Sequence, residues 1–243
     1  MNRQYKRWAS VYQTKPEAYD MFAKAQDTKP LIELLRLSDA IKSKSILDVG
    51  TGTGKYAFLL SDNGASEVIG IDRCYEMINF AKTALHKKRT TNIKFLNIDI
   101  AQSDFFLKFD SSISAWAINA PWNSSYASLD KALHAVFKSL KNNGRFFLIT
   151  TPPGEMAGEL AVYFSSEERK IHFETKASFL KHLKTHWGFY QETIRADWNF
   201  QTSAEAALYF SLFYKPELAE VILRNNITTV KANAAAMVAV KQD

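Results

Sequence analysis

A single cysteine, Cys74, is all the chain has. One thiol excludes an intramolecular disulfide framework and a cysteine-rich zinc site, and a reducing compartment is the expected setting. Long apolar runs are missing as well. The most apolar stretch, Ala204 to Leu212, is interrupted by Glu205 and falls short of the ~18 consecutive apolar residues of a membrane helix. The opening MNRQYKRWASVYQTKPEAY holds no apolar segment and no small-residue cleavage site, so no secretory signal is read there and a cytoplasmic location is expected. Charge of one sign is in modest excess only. Thirty-one Lys+Arg against 25 Asp+Glu leave +6, which permits a polyanionic partner without demanding one. No separate basic module or basic-aromatic stripe stands out, so nucleic acid is not the expected partner. Internal repeats and low-complexity linkers are absent too. What remains is 243 residues, 47% of them hydrophobic, which is enough to fill one core.

The N-terminal stretch from Tyr5 to Ala40 reads as short helices, with Pro16 and Pro30 suited to first-turn positions. A regular alternation follows. Apolar runs at Ser45–Val49, Glu67–Ile71, Asn92–Ile98, Ser112–Ile118 and Arg145–Thr150 read as strands, and Lys55–Ser61, Met77–His86 and Leu129–Leu140 as the helices between them. Strands alternating with helices predict a parallel α/β sheet covered on both faces. Beyond Pro152 the pattern loosens. Glu167 to Lys176 reads as a polar, solvated lid carrying His172. Ser178–Trp187 reads as a helix stopped by Gly188, Phe189–Phe200 as a strand, Ala204–Asn225 as helix broken at Pro216, and Ala235–Val240 as a last strand.

The chemistry concentrates where strands end. Ile46 to Gly54 runs from a strand through Gly50-Thr51-Gly52-Thr53-Gly54 into a helix, and glycines let backbone lie close to a ligand. The spacing is G-x-G-x-G, unlike the G-x-G-x-x-G of nicotinamide enzymes, and no G-x-x-x-x-G-K-[ST] loop precedes Lys55. Asp72 closes the second strand, where a carboxylate can accept from both hydroxyls of a ribose. Asp99 closes the third, where it can accept from the exocyclic amine of adenine. Phe109-Asp110 and Asn143-Gly144-Arg145-Phe146 enter the fourth and fifth strands.

With LDVGTGTG, GID, NIDI, FDSSISAW and GRFFLIT in this order and spacing, the sequence resembles the class I S-adenosylmethionine-dependent methyltransferases of the small-molecule type, strongly from Ser45 to Thr151 and more loosely elsewhere. The resemblance implies an α/β, Rossmann-like, doubly wound sheet of seven strands in the order 3-2-1-4-5-7-6, strand seven antiparallel. Residues 1–40 would form a helical cap, and residues 41–243 the methyltransferase domain, with its cofactor half at 41–151 and its substrate side at 152–243. The cofactor implied is S-adenosylmethionine, leaving as S-adenosylhomocysteine. Asp48 would orient the glycine turn and reach the methionine amino group. Gly50, Thr51 and Gly52 would back the methionine portion and sugar, Asp72 would hold the ribose, and Asp99 and Ile100 would frame the adenine. Arg73 and Met77 fall beside these. Trp116 would lie near the sulfonium, with a core aromatic as its other reading. Tyr5, Trp8 and Tyr12 resemble an aromatic segment that closes over the cofactor.

The implied reaction moves a methyl group to a nitrogen or oxygen of a small-molecule acceptor, in a monomer or homodimer. An RNA methyltransferase and a non-catalytic cofactor-binding protein stay open as alternatives. Methyl transfer from a sulfonium needs positioning more than acid–base help, so no catalytic residue is fixed. His172 is a candidate base. Asn119, in Asn119-Ala120-Pro121-Trp122, resembles the N-P-P-Y loop that accepts hydrogen bonds from a target amine, although Ala120 replaces its first proline. Tyr5, Trp8, Trp122 and Trp198 are the aromatic candidates for the acceptor pocket, with packing of the C-terminal cover as their other reading. His182 and His186 share a helix face but lack the carboxylate pattern of a metal site, so no metal is expected.

Overall fold

The computed structural model describes residues 3–119 and 126–242, apart from the side chains of residues 3–7 and 9. Three helices open the chain: α1 (Arg3–Thr14), α2 (Pro16–Ala25) and α3 (Lys29–Leu37), the last two with proline in the first turn, where its missing N–H costs nothing. The alternation then delivers β1 (Ser45–Val49), α4 (Lys55–Asp62), β2 (Glu67–Asp72), α5 (Tyr75–Lys88), β3 (Ile93–Asn97), β4 (Phe109–Ala115), α6 (Tyr126–Ser139) and β5 (Leu140–Thr150). After it come α7 (Ser166–Trp187), β6 (Tyr190–Arg195), β7 (Trp198–Asn199), α8 (Ser203–Phe213), α9 (Leu218–Arg224), β8 (Thr229–Val230) and β9 (Asn233–Val240).

Seven strands form one sheet in the order β3-β2-β1-β4-β5-β9-β6. Pairings from β3 through β5 are parallel, and β9 runs antiparallel to both β5 and β6. This is the expected order with β9 in the place of the seventh strand. The extra two numbers come from a small ribbon, β7 with β8. One continuous strand over Phe189–Phe200 is not what forms. The chain breaks after Arg195, where Asp197 accepts from the Arg195 guanidinium at 2.6 Å and from the Ala232 N–H at 2.8 Å, and this turn carries Trp198 out of the main sheet.

Period-two burial assigns each strand residue to a face. Ile46, Val68, Phe147, Ile149 and Val238 pack under α3, α4 and α5. Leu47, Ile69, Phe146, Leu148 and Met237 pack under α6 and α7. Side chains of this size, fully buried, each contribute about 1.5–3 kcal/mol relative to exposure. A third cluster joins α1 and α2 to α8, α9 and the ribbon. It is built on aromatics: Phe22 stacks on Trp198 at 5.6 Å and on Phe213 at 4.6 Å. Among the described residues, no helix is long and apolar enough to cross a membrane.

The predicted solvated lid is corrected. α7 begins at Ser166, not Ser178, because Ser165 and Glu168 close a reciprocal capping box, and it runs unbroken to Gly188. Its buried stripe includes His172 and Lys176. The fourth strand ends at Ala115 rather than Ile118, because Trp116 takes a left-handed conformation (φ 56°) that ends strand pairing.

Candidate active site

Three carboxylates stand at the carboxyl ends of neighbouring strands. Asp48 lies on β1, Asp72 closes β2, and Asp99 follows β3. Strands about 4.8 Å apart make this a continuous row of acceptors along one edge. The glycine turn beside it is left-handed at Gly50, Gly52 and Gly54. Gly50 is the most constrained, since a Cβ there would come 2.0 Å from the Ala117 Cβ. The amides of Gly50 and Thr51 both donate to the Ile71 carbonyl, at 2.8 and 2.9 Å, which ties the turn to the end of β2.

The Asp72 carboxylate is held from both sides. Its Oδ2 accepts from the Gly52 N–H at 3.0 Å and its Oδ1 from the Cys74 N–H at 2.8 Å. A carboxylate has roughly four lone-pair sites, so acceptor capacity for further donors remains. Burial raises its pKa against these bonds. Asp48 accepts from the Thr51 hydroxyl at 2.6 Å, and burial, with Asp72 adding, raises its pKa to about 7. Asp99 caps the turn after it by accepting from the Ala101 N–H at 2.9 Å. Ile100 is buried beneath it, Met77 is a fully buried residue of α5, and Arg73 is exposed.

The N-terminal helices roof this row. Tyr12 meets Tyr19 edge-on at 5.0 Å, and its carbonyl lies 3.7 Å from the Cys74 sulfur. Tyr19 is a residue the sequence reading missed. It lies over the glycine turn, where a Cβ on Gly52 would stand 3.1 Å from its ring. Burial, and after it Asp72 and Asp48, raises its pKa. Tyr12 and Tyr19 lie on separate helices, broken at Lys15, so no single helical spacing links them in the sequence. Lys55 fastens the roof: its half-buried side chain donates through Nζ to the carbonyls of Ala23 and, at 3.3 Å, Gln26, at the end of α2 where cations are favoured. Burial lowers its pKa to about 7, opposed by Asp27 and Asp20.

On the other side of β1 the ends of β4 and β5 carry a different set. Trp116 leaves β4 half-buried and stacks with Tyr56 at 6.2 Å. Asn119 donates to the Trp116 carbonyl at 3.1 Å, while its Oδ1 accepts from the Thr150 hydroxyl at 2.8 Å and from Lys176 Nζ at 2.5 Å. Those two bonds fill both lone pairs of the amide oxygen, which an N-P-P-Y-like role would require for the acceptor. Lys176, taken from its sequence context as surface charge, is 3% exposed, and burial lowers its pKa to about 7. His172 is 5% exposed rather than solvated, and burial followed by Lys176 lowers its pKa to about 4.

The two described aromatic candidates, Trp8 and Trp198, both pack on Phe22 in the third cluster. Trp198 is a core residue stacked on Phe22, and Trp8 packs on Phe213 at 4.7 Å and edge-on to Tyr214. The packing reading fits both. Trp122 and the side chain of Tyr5 lie outside the described residues. His182 on α7 pairs with Asp130 on α6 at 2.7 Å, its ring stacked on His186.

A family model described as a methyltransferase domain matches residues 41–203, more than half of the chain. The chain is 25% identical over 149 residues to phosphoethanolamine N-methyltransferase 2 of Caenorhabditis elegans, covering 61% of this chain and 32% of that one. It is 25% identical over 157 residues to human EEF1A lysine methyltransferase 2, covering 59% of this chain and 65% of that one. The match thus spans less than two thirds of either relative. Among solved structures, Haemonchus contortus phosphoethanolamine N-methyltransferase 2, with phosphomonomethylethanolamine and S-adenosylhomocysteine bound, superposes with a TM-score of 0.59 at 16% identity, over 89% of this chain and 53% of that one.

Proposed function

The chain belongs to the methyltransferase domain family, class I and S-adenosylmethionine-dependent, and we propose that it transfers the methyl group to a nitrogen or oxygen of a small-molecule metabolite in the cytoplasm. The observation that carries the reading is the acceptor row Asp48–Asp72–Asp99 beside a glycine turn under an aromatic roof. The cofactor presents what such a row lacks: an ammonium, a ribose diol and an exocyclic amine, all donors. Asp48 would take the ammonium, whose charge offsets the burial that holds this carboxyl near 7. Asp72 would take the diol, already aimed by the Gly52 and Cys74 amides. Asp99 would take the amine with the lone pairs its cap leaves unused.

When bound, the cofactor supplies a methyl group on a sulfonium, activated for in-line displacement. This chain's residues then have to orient the acceptor and exclude water. α2, fastened through Lys55 and Tyr19, covers the glycine turn and the buried Asp48, while Asp72 and Asp99 stay part-exposed. A roofed site of this kind suits a small acceptor better than a polymer. The test is a methyl-transfer assay by mass on three classes offered separately: small amines and alcohols, RNA, and protein. Gain of a methyl group in the small-molecule class is the expected outcome. Gain only in RNA or only in protein would refute this reading.

A further inference from the structure

The buried face of α7 follows one helical stripe, 172, 176, 179, 180 and 183. Phe179, Leu180 and Leu183 fill its later positions as an apolar stripe should. The first two hold His172 and Lys176, two bases one turn apart, where leucines would pack at no electrostatic cost. Lys176 Nζ donates to Asn119 Oδ1 and, at 3.0 Å, to Thr150 Oγ1, and both are neutral oxygens. Among the described residues no carboxylate forms an ion pair with it. Beyond these two oxygens Nζ faces the ring of Phe179, whose centroid is 6.0 Å away, a contact that supplies no counter-charge. A buried cation without a counter-charge is strongly unfavourable. A partner that brings the counter-charge relieves that cost only when bound.

We propose that Lys176, braced by Asn119 and Thr150 and followed on the same stripe by no acid, forms with His172 a subsite for an anionic group, a carboxylate or a phosphate, carried by the methyl acceptor. The proposal rests on the methyl-transfer reading above. It also orients the acceptor. Asp48, Asp72 and Asp99 make the β1–β3 side repel an anion, so the anionic end sits at the β4–β5 side and the nucleophilic atom points back toward Trp116. The network links Lys176 to that residue's backbone through Asn119, whose Nδ2 donates to the Trp116 carbonyl.

The test is side-chain NMR on the full chain with Cε-labelled lysine. The Lys176 signal is assigned by its loss in both Lys176→Met and Lys176→Gln, so one misfolded variant does not void it. Inorganic phosphate and acetate are titrated separately, with chloride at matched ionic strength. A saturable shift of that signal with phosphate alone marks a phosphorylated acceptor, and with acetate alone a carboxylate. Either supports the subsite, as does a response to both. Lys176→Arg should retain anion binding, while Lys176→Gln should weaken it about tenfold or more, as expected for loss of a charge-assisted hydrogen bond. A signal that neither anion moves, or that chloride moves equally, overturns the proposal. Titration of S-adenosylmethionine into the same samples reports on the methyl-transfer reading separately. Normal cofactor binding beside an unmoved Lys176 overturns the anion subsite alone.

Discussion

The two halves of the strand edge differ in how they are assembled. At β1–β3 the contacts are short in sequence: Thr51 reaches back three residues to Asp48, Cys74 two residues to Asp72, and Gly52 twenty to Asp72. At β4–β5 the contacts come from afar. Lys176 reaches Asn119 across 57 residues and Thr150 across 26. The first half is acidic and built by strand-end turns. The second is basic or neutral and built by a helix that returns over the sheet. A site of this kind can keep one half fixed by local geometry while the other changes with whatever α7 presents.

The contrast breaks most severely at the turn. Gly50→Ala places a Cβ 2.0 Å from Ala117 at a residue with φ 72°. Overpacking together with left-handed strain should cost about 2–4 kcal/mol, read by denaturant unfolding. An unchanged midpoint would mean the turn is looser than described.

A second variant sharpens the other half. The Lys176 pKa lies at about 7, below its ordinary 10.5. Between those values the folded chain binds fewer protons than the unfolded one, so stability is lost as pH falls from above 10 toward 7. Lys176→Met removes that loss. Its melting temperature relative to wild type should therefore be higher at pH 7 than at pH 10, and a difference independent of pH would show that the lysine is not buried as a base.

The smallest effect is expected at the start of α7. Ser165→Ala removes the cap bond to the Glu168 N–H, at about 1 kcal/mol. Because α7 carries Lys176, the loss should appear first as faster amide exchange in its opening turns.

The fold was legible where periodicity is strong. β1 and β2 read as apolar runs because both faces are buried, and β3, at the sheet edge, was legible from Ile93 and Phe95, which bury between exposed polar positions; β9 was recognised despite its alanines, all buried in the sheet. The acidic row was legible for the same local reason: each carboxylate lies at or just beyond the end of its own strand. The β4–β5 side was not. Glu167 to Lys176 is dominated by charge, and only the four-residue step from His172 to Lys176, continuing to Leu180, shows a helix face under it. Lys176 reads as solvated in any local window, since its partners lie far off in sequence, on β5 and in the loop after β4. Tyr19 escaped because nothing near it in sequence contains the glycine turn that it covers.

The most direct test of the account is calorimetric titration of S-adenosylmethionine and, separately, S-adenosylhomocysteine into wild type and Asp72→Ala. The account predicts binding near micromolar, with the variant weaker by about tenfold to a hundredfold, the equivalent of about 1–3 kcal/mol for a lost buried hydrogen-bond partner. No binding by wild type, or equal binding by both proteins, would contradict the assignment of the acidic row to the cofactor.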